Sequence, residues 1–221
     1  MKQLQALIDH TLLKADATNR QIMQLCNQAK KYRFKTVCIN PTHIELAVQN
    51  LKGSKVGICT VVGFPLGAST SDTKLYEAEI AENLGATEID MVVNVGAVKD
   101  GNLNLVKNDI LNVRRGLSGA SLLKVILECS LLTDEEIKTT ARIAVDSGAD
   151  FVKTSTGFNG GATTEQVTLL FDTVGRKAGI KAAGGIRDLK TALAMVEAGA
   201  SRIGTSSGVP IIEDYLNGSG L

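Results

Sequence analysis

The stretch from Leu122 to Ser155, LLKVILECSLLTDEEIKTTARIAVDSGADFVKTS, contains the signals of a complete strand–helix–strand unit. It begins with an apolar, β-branched run at Leu122–Glu128 and ends with a second one at Asp150–Ser155. Between them, Thr133 and Glu136 have the spacing of a helix capping box, and Gly148 follows the last apolar residue of a helical stripe. Because two strands joined through a helix lie parallel in one sheet, this stretch predicts a β-α-β unit.

The same pattern recurs along the chain. The predicted strands begin about 21 to 34 residues apart, which is the spacing of β-α units rather than of hairpins. They are Leu7–Leu13, Phe34–Ile39, Lys55–Val62, Glu88–Asn94, Leu122–Glu128, Asp150–Ser155, Ile180–Ala183 and Ser201–Gly204. Thr42 with Glu45 and Thr163 with Gln166 predict two more capped helix starts. Eight such units in 221 residues predict an α/β protein with a single (β/α)8 barrel of the TIM-barrel type.

A doubly wound parallel sheet is the competing architecture. Such a sheet normally carries a glycine-rich dinucleotide-binding turn after its first strand, but Asn40-Pro41-Thr42 follows Phe34–Ile39 here. No linker divides the sequence, so we expect one barrel domain over residues 1–221. The tail at 217–221 is rich in Gly and Ser, and we expect it to be flexible.

The composition argues against several classes of function. The 24 Lys and Arg residues nearly balance the 23 Asp and Glu residues, and aromatic residues make up 4% of the chain. Neither a basic surface for nucleic acid nor a set of base-stacking platforms is therefore predicted. The sequence has no run of about 18 apolar residues, and its first residues do not have the pattern of a signal peptide. We expect a cytoplasmic protein that binds neither nucleic acid nor a membrane.

The four cysteines, Cys26, Cys38, Cys59 and Cys129, form no C-x-x-C pair, and two histidines add no metal-ligand spacing. We therefore expect no metal and no disulfide framework. Three of the four cysteines lie in apolar runs and are interpreted as packing residues. Cys38 needs separate attention because its strand ends where a functional rim is expected.

Among the residues read from the carboxyl ends of the predicted strands, two are lysines, although lysine is rare in strands. Lys153 and Lys181 belong to consecutive strands, whose carboxyl ends converge on the face where barrels carry their active sites. Burial and mutual repulsion would both lower a lysine pKa and leave one amine neutral and nucleophilic. The alternative is that each lysine extends to the rim or pairs with a carboxylate such as Asp90 or Asp150.

Asp90 is an acidic residue inside the apolar strand Glu88–Asn94. A buried carboxylate is unfavourable unless a cation or hydrogen bonds compensate it, and a lysine across the barrel would supply the cation. Such a pair could transfer protons at a carbon next to an imine. A purely structural ion pair is the alternative.

Three glycine-containing turns follow the last three predicted strands, at Thr154–Gly157, Ala183–Arg187 and Gly204–Gly208. Barrels commonly bind phosphate at this place through backbone N–H groups, which glycine allows to approach the oxygens. The turns therefore predict an anion site, although ordinary β-α loops rich in glycine are the alternative. The candidate residues of this site are Thr156, Gly157, Gly184, Gly185, Gly204, Ser206 and Ser207.

Six stretches carry a resemblance to the deoxyribose-phosphate aldolases over essentially the whole chain. They are Ile8–Leu13, Val37–Pro41, Glu88–Asn94, Phe151–Phe158, Lys181–Arg187 and Arg202–Ser207. The two lysine-bearing stretches are together the most specific. The sequence matches the family at the positions expected to carry chemistry, whereas Phe158 stands where some members have a lysine, which implies one charge fewer near the phosphate.

The resemblance implies a lyase that cleaves 2-deoxy-D-ribose 5-phosphate to D-glyceraldehyde 3-phosphate and acetaldehyde in deoxyribonucleotide catabolism. It implies Lys153 as the Schiff-base nucleophile and Asp90 with Lys181 as the proton-transfer pair, without a metal or another cofactor. Asp9 and Cys38 would line the pocket, Asp9 as a support for the proton relay or a contact to a hydroxyl group, and Cys38 as a neighbour of the substrate. A small phosphosugar would be the partner, and we expect a homodimer or a higher homo-oligomer.

Two other functions stay open at this point. Another phosphosugar barrel, such as a transaldolase or an isomerase, is one of them; an isomerase would need a carboxylate or histidine base and no imine. A non-catalytic phosphosugar-binding barrel is the other. It would bind ligand without turnover, and it does not explain two lysines inside strands.

Overall fold

Eight strands alternate with helices along residues 4–218, the part of the chain that this computed structural model describes. The strands are β1 (Ile8–Leu12), β2 (Thr36–Ile39), β3 (Gly57–Val62), β4 (Glu88–Val92), β5 (Leu122–Ile126), β6 (Phe151–Lys153), β7 (Gly179–Ala183) and β8 (Arg202–Thr205). The helices are α1 (Asn19–Tyr32), α2 (Ile44–Leu51), α3 (Ser71–Asn83), α4 (Val95–Lys99), α5 (Leu103–Gly116), α6 (Asp134–Asp146), α7 (Thr164–Val174), α8 (Leu189–Glu197) and α9 (Gly208–Gly218). Short 3-10 helices cover Leu4–Leu7, Pro41–His43 and Cys129–Leu131.

The strands are hydrogen-bonded in chain order, and β1 closes the barrel against β8. Every neighbouring pair is parallel. Because each strand returns through a helix to the same direction, all carboxyl ends of the strands meet at one face of the barrel. The predicted (β/α)8 barrel is confirmed.

The two faces of each strand have different surroundings. Side chains such as Ile89, Leu123 and Val152 point outward and belong to the apolar core between strands and helices. Their neighbours Asp90 and Lys124 alternate with them and point into the barrel. The apolar core therefore lies between the strands and the helices, and polar side chains occupy the interior of the barrel.

Two of the three predicted capped helix starts are observed. The predicted capping boxes at Thr133 and Thr163 are both formed, at the starts of α6 and α7. Thr42 does not cap α2, because Pro41 starts a 3-10 turn that contains Thr42, and α2 begins two residues later at Ile44. A capping box at Thr18 was not predicted. None of the described helices is long and apolar enough to cross a membrane.

The strands predicted for β1, β4, β5 and β6 extend one or two residues beyond the observed ones at the site face. Asn94 has left β4, and its side chain accepts a hydrogen bond from the N–H of Ala97 at the start of α4. Glu128 has left β5 and adopts a left-handed φ of 56°. At the other end of the chain, residues 217 and 218 of the predicted tail belong to α9, and residues 219–221 lie outside the described range.

Candidate active site

Seven charged side chains point into the barrel. They come from six strands: Asp9 (β1), Glu88 and Asp90 (β4), Lys124 (β5), Lys153 (β6), Lys181 (β7) and Arg202 (β8). All seven are buried. Burying charges is unfavourable unless they are paired, so the barrel interior has to be a network of ion pairs.

Asp90 is the centre of this network. Its Oδ2 accepts hydrogen bonds from Nζ of Lys153 at 2.8 Å and from Nζ of Lys181 at 2.7 Å. Its Oδ1 accepts from Nζ of Lys124 at 2.7 Å and from the Cys59 thiol at 3.1 Å. Strand register explains the arrangement, since Asp90 is paired with Lys124 and Lys153 is paired with Lys181.

A second group of charges binds two of the lysines that contact Asp90. Nη1 of Arg202 lies 2.7 Å from both Asp9 Oδ1 and Glu88 Oε2. Asp9 Oδ2 lies 2.6 Å from Nζ of Lys181, and Glu88 Oε2 lies 2.7 Å from Nζ of Lys124. Arg202 therefore connects the carboxylates that hold two of the three lysines.

The network controls the charge of its members. Burial alone would raise the pKa of Asp90, but Lys124, Lys153 and Lys181 outweigh burial and keep that pKa well below its usual range. Burial would lower the pKa of Lys181, but the carboxylates of Asp9 and Asp90 hold it well above its usual range. At Lys181 the carboxylates outweigh burial and repulsion, which matches the alternative that the lysine pairs with a carboxylate such as Asp90.

Four cations face three carboxylates among the described members of the network. One neutral amine would balance these charges. Lys153 contacts one carboxylate, Asp90, whereas Lys124, Lys181 and Arg202 each contact two of the described carboxylates. Arg202 also keeps its proton throughout the physiological pH range. Lys153 is thus the cation that the network holds least tightly.

A pocket of about 390 Å³ opens at the carboxyl face of the barrel, above this network. Lys153 and Lys181 are both among its lining residues. Of the candidate phosphate residues, the lining includes Thr156, Gly157, Gly184, Gly185, Gly204 and Ser206. The structure therefore brings the two lysines and the three glycine-containing turns to one cavity.

Three predicted site residues lie beneath the lining of the pocket. Asp9 and Asp90 are fully buried, and Cys38 is 1% exposed. Asp9 is held there by Arg202 and by the Thr36 hydroxyl, which donates to Asp9 Oδ1 at 2.8 Å. The pocket wall expected of Asp9 and Cys38 is therefore formed by other residues, and Asp9 is placed to act on Lys181.

Glycine is required at two positions around the pocket. Gly184 has a φ of 88°, and a Cβ on it would lie 2.9 Å from the carbonyl oxygen of Gly160. A Cβ on Gly204 would lie 3.1 Å from Cε of Lys181. The first glycine permits the turn after β7, and the second leaves room for the lysine side chain.

Two candidate phosphate residues have other partners. Both the N–H and the hydroxyl of Thr156 donate to the carboxylate of Glu128. The N–H of Ser207 donates to Oγ1 of Thr205 at 2.9 Å. These groups shape the turns, and the free donors for an anion have to come from neighbouring residues.

Sequence reasoning missed several residues of the site. Lys124 and Arg202 are charged residues in apolar strands, as Lys153 is, so the same signal could have found them, but they lie away from the carboxyl ends of their strands. No such signal indicated Glu128. Its contact with Thr156 depends on the left-handed backbone conformation of Glu128 and joins residues 28 positions apart in sequence. Lys14 and Arg187 are exposed cations in the pocket lining.

The cysteines fall into two pairs of different character. Cys26 and Cys129 belong to the apolar core, as expected of packing residues. Cys59 lies in an apolar run but points into the barrel, where its sulfur contacts Asp90 and lies 3.3 Å from Nζ of Lys124. Interpreting Cys59 as an apolar packing residue is therefore wrong, because alternation along β3 directs it to the charged side.

The fold also assembles two groups of ligand atoms that sequence spacing does not indicate. The side-chain ligand atoms of Cys38, Cys59 and Asp90 lie within 4.8 Å of one another, as do those of Asp9, Cys59 and Glu88. The carboxylate oxygens of both groups already bind lysine or arginine side chains. Ammonium and guanidinium groups thus occupy the positions that a cation would need.

Known proteins share this sequence and architecture. A deoxyribose-phosphate aldolase of Geobacillus sp. (strain WCH70) is 57% identical over 208 residues, which are 94% of this chain and 93% of the relative. A deoxyribose-phosphate aldolase of Bacillus cereus (strain Q1) is 53% identical over 214 residues, 96% of each chain. Among solved structures, the tetrameric deoxyribose phosphate aldolase from Aeropyrum pernix is 33% identical with a TM-score of 0.90, over 96% of this chain and 91% of that one.

The model of the DeoC/LacD aldolase family matches residues 4–213, nearly the whole sequence. That range contains all eight strands and every charged residue of the network. The match favours an aldolase over an isomerase and over a barrel that only binds ligand. The chain belongs to the DeoC/LacD family of aldolases.

Proposed function

We propose that this aldolase cleaves 2-deoxy-D-ribose 5-phosphate to D-glyceraldehyde 3-phosphate and acetaldehyde through a Schiff base on Lys153. The observation that carries the proposal is the shared binding of Lys153 and Lys181 to one oxygen of Asp90, at the base of a pocket whose rim has glycine-containing turns. Relatives named deoxyribose-phosphate aldolase support the choice of sugar.

The first step is attack of a neutral Lys153 amine on the aldehyde carbon of the open-chain sugar. Loss of water then gives a protonated imine, and this cation accepts electrons from the bond that breaks next. Lys153 suits the role because it lines the pocket and has one described carboxylate partner. Lys181 suits it less, since Asp9 and Asp90 hold it as a cation.

Carbon–carbon cleavage follows when the C3 hydroxyl loses its proton and the C2–C3 bond breaks. The phosphorylated aldehyde leaves, and the enamine that stays on Lys153 is protonated at C2 before hydrolysis releases acetaldehyde. Asp90 Oδ2 contacts both lysines, so a proton can pass between them through this oxygen. Asp90 and Lys181 are the proton-transfer pair of the proposal.

Asp9 acts in this scheme as a positioning residue. It touches Lys181 at 2.6 Å and is itself fixed by Arg202 and Thr36. A carboxylate held in this way keeps the Lys181 ammonium charged and directed toward Asp90. The buried Asp9 beneath the pocket thus keeps Lys181, which lines the pocket, protonated.

The phosphate would bind at the turns after β6, β7 and β8. Gly184, Gly185 and Gly204 allow backbone N–H groups to approach it, and α9 begins at Gly208, shortly after Ser206 of the last turn. Lys14 and Arg187 add positive charge at the rim. Because this grip is remote from the reacting carbons, its binding energy can position the C2–C3 bond.

Borohydride trapping tests the mechanism. Incubation with acetaldehyde followed by reduction should place an ethyl group on Lys153, identified by peptide mapping. An ethyl group on Lys181 in the unmutated protein would reverse the assignment. Absence of any adduct, together with cleavage of the sugar phosphate, would exclude the imine.

The proposed reaction needs no metal, because the protonated imine serves as the electron sink. Activity should therefore survive extensive dialysis against a strong chelator. Activity that disappears and returns only with a divalent ion would contradict the mechanism.

We also propose a homodimer or a higher homo-oligomer in the cytoplasm. The tetrameric relative from Aeropyrum pernix supports self-association in this family. Analytical ultracentrifugation across a range of protein concentrations measures the oligomeric state, and a monomer at all concentrations would contradict this part of the proposal.

A further inference from the structure

Two cysteines face each other across neighbouring strands inside the barrel. Cys38 of β2 and Cys59 of β3 are register partners, and their sulfur atoms lie within 4.8 Å of one another. Cα atoms of register partners in parallel strands are about 4.8 Å apart, which lies inside the range of about 4.4–6.8 Å seen in disulfides. Rotation of the side chains could therefore join these sulfurs without moving the strands.

The surroundings favour a reactive thiol at Cys38. Hydrogen bonding with the Cys59 thiol lowers the pKa of Cys38 to about 7 against the effect of burial, and the cations of Lys181 and Lys153 act in the same direction. Asp90 opposes them. In contrast, burial raises the pKa of Cys129 to about 12, because this thiol lies in the apolar core. Thiolates, not thiols, react with oxidants, so the two environments predict different reactivity.

We propose that Cys38 and Cys59 form an oxidisable dithiol whose closure to a disulfide switches off the aldolase. The site extends the proposed function, and the oxidant is a small hydroperoxide that enters through the pocket. Thr11, the register partner of Cys38 on β1, lines that pocket.

The reaction proceeds in two steps. The Cys38 thiolate attacks one oxygen of the peroxide, the O–O bond breaks, and the departing hydroxide takes a proton to become water, which leaves a sulfenic acid on Cys38. The Cys59 sulfur then attacks the Cys38 sulfur, the S–O bond breaks, and the leaving hydroxide takes the Cys59 proton. Two thiols are oxidised, one peroxide is reduced, and two waters form.

Closure would alter the catalytic carboxylate directly. While Cys38 is protonated, the single proton of the Cys59 thiol is donated to Asp90 Oδ1 at 3.1 Å, and a disulfide sulfur has no proton to donate. Closure would also change the contact between Lys124 and Cys59, because Nζ of Lys124 lies 3.3 Å from the Cys59 sulfur and that sulfur would become part of the disulfide. Loss of one hydrogen bond to a buried charge, in the position that both lysines share, should lower activity by about tenfold or more.

The test treats the unmutated protein with hydrogen peroxide, blocks free thiols with an alkylating reagent, and maps the peptides by mass spectrometry. We expect the free thiols to fall from four to two, a Cys38–Cys59 peptide, an activity loss of about tenfold or more, and recovery with dithiothreitol. The thiol count and the map need no aldolase activity, so a wrong substrate assignment would leave them valid.

Variants separate the pair from the other cysteines. Neither Cys38→Ser nor Cys59→Ser should form the disulfide, so neither should show the mass decrease of two hydrogen atoms after peroxide treatment. The activity of each variant after treatment is expressed as a fraction of the activity of the same variant in its reduced form. Cys26→Ala/Cys129→Ala should still form the disulfide and lose activity. Four free thiols after oxidation, a different pair in the map, or full activity with the disulfide closed would each overturn the proposal, and the unmutated protein alone suffices for these outcomes.

Discussion

Buried lysine–aspartate pairs occur in two regions of the molecule, between helices and inside the barrel. Lys74 of α3 lies 2.5 Å from Asp109 of α5 and also donates to the carbonyl of Val92 at 3.0 Å. Lys153 lies 2.8 Å from Asp90. Burial and distance are nearly the same, yet the two lysines have different surroundings.

The difference is in charge balance and access. Lys74 and Asp109 neutralise each other, and the lysine is fully enclosed by α3, α5 and the end of β4. Lys153 shares Asp90 with two more lysines, in a network with more cations than carboxylates, and it lines a pocket. A buried lysine with a carboxylate partner is therefore structural by default. A surplus of cations beside a cavity is what makes an amine available for chemistry.

Replacing Lys153 should have the largest effect. Lys153→Leu should lower kcat/KM by on the order of 10⁴ or more and abolish reductive trapping, since the nucleophile is gone. The remaining three cations and three carboxylates balance, so the variant should stay folded. Steady-state kinetics with circular dichroism measures both. Trapping at another lysine with retained turnover would contradict the assignment.

Lys181→Leu should come next, with a loss of about 10³ in kcat. This variant keeps the nucleophile, so slow trapping of acetaldehyde at Lys153 should persist. Loss of the proton-transfer partner should affect kcat more than KM. An unchanged kcat would show that Lys181 is a structural cation like Lys74.

Lys74→Met tests whether the lysine between the helices has a structural role, in contrast to Lys153. Removing one partner of a buried ion pair leaves Asp109 uncompensated and should lower the free energy of unfolding by about 3–5 kcal/mol. The folded fraction should still trap acetaldehyde at Lys153. Urea unfolding measures the first result, and Lys74→Met/Asp109→Leu should recover much of the stability. Loss of trapping in folded Lys74→Met protein would break the distinction between the two lysines.

Gly185→Val should raise the KM for the sugar phosphate by about tenfold, because a side chain would stand where the phosphate approaches the backbone. Gly53→Val is a matched control. The two glycines have φ values of 76° and 77°, and Gly53 lies before β3, away from the pocket. Both variants carry the same backbone strain, so equal KM values in them would contradict the placement of the phosphate.

The smallest effect concerns pH. The pKa values of Asp9 and Asp90 are held below their usual range in the folded protein. Their contribution to stability is therefore complete above the unfolded pKa of about 4 and is lost as pH falls toward the folded values. Urea unfolding at a series of pH values below about 5 should show this slope, and Asp90→Asn should have a shallower one. An identical slope in both proteins would contradict the role of Asp90.

The sequence by itself determined the barrel and singled out the lysines of the proposed chemistry. Apolar β-branched runs such as Leu122–Glu128 and the capping box at Thr133 act over a few residues, so they can be recognised locally. The same holds for Lys153 and Lys181, whose charge inside a strand conflicts with its neighbours. These signals predicted eight units, the site face and imine chemistry.

The tertiary structure alone decided how the charges are shared. Asp9 and Arg202 are 193 positions apart in sequence, and barrel closure brings them to 2.7 Å. That contact, with Glu88 and Lys124, sets the surplus of cations and keeps Lys181 charged, in contrast to the effect expected from burial alone. Electrostatic interactions depend on distance in space and not on separation along the chain, so composition and periodicity could not predict them.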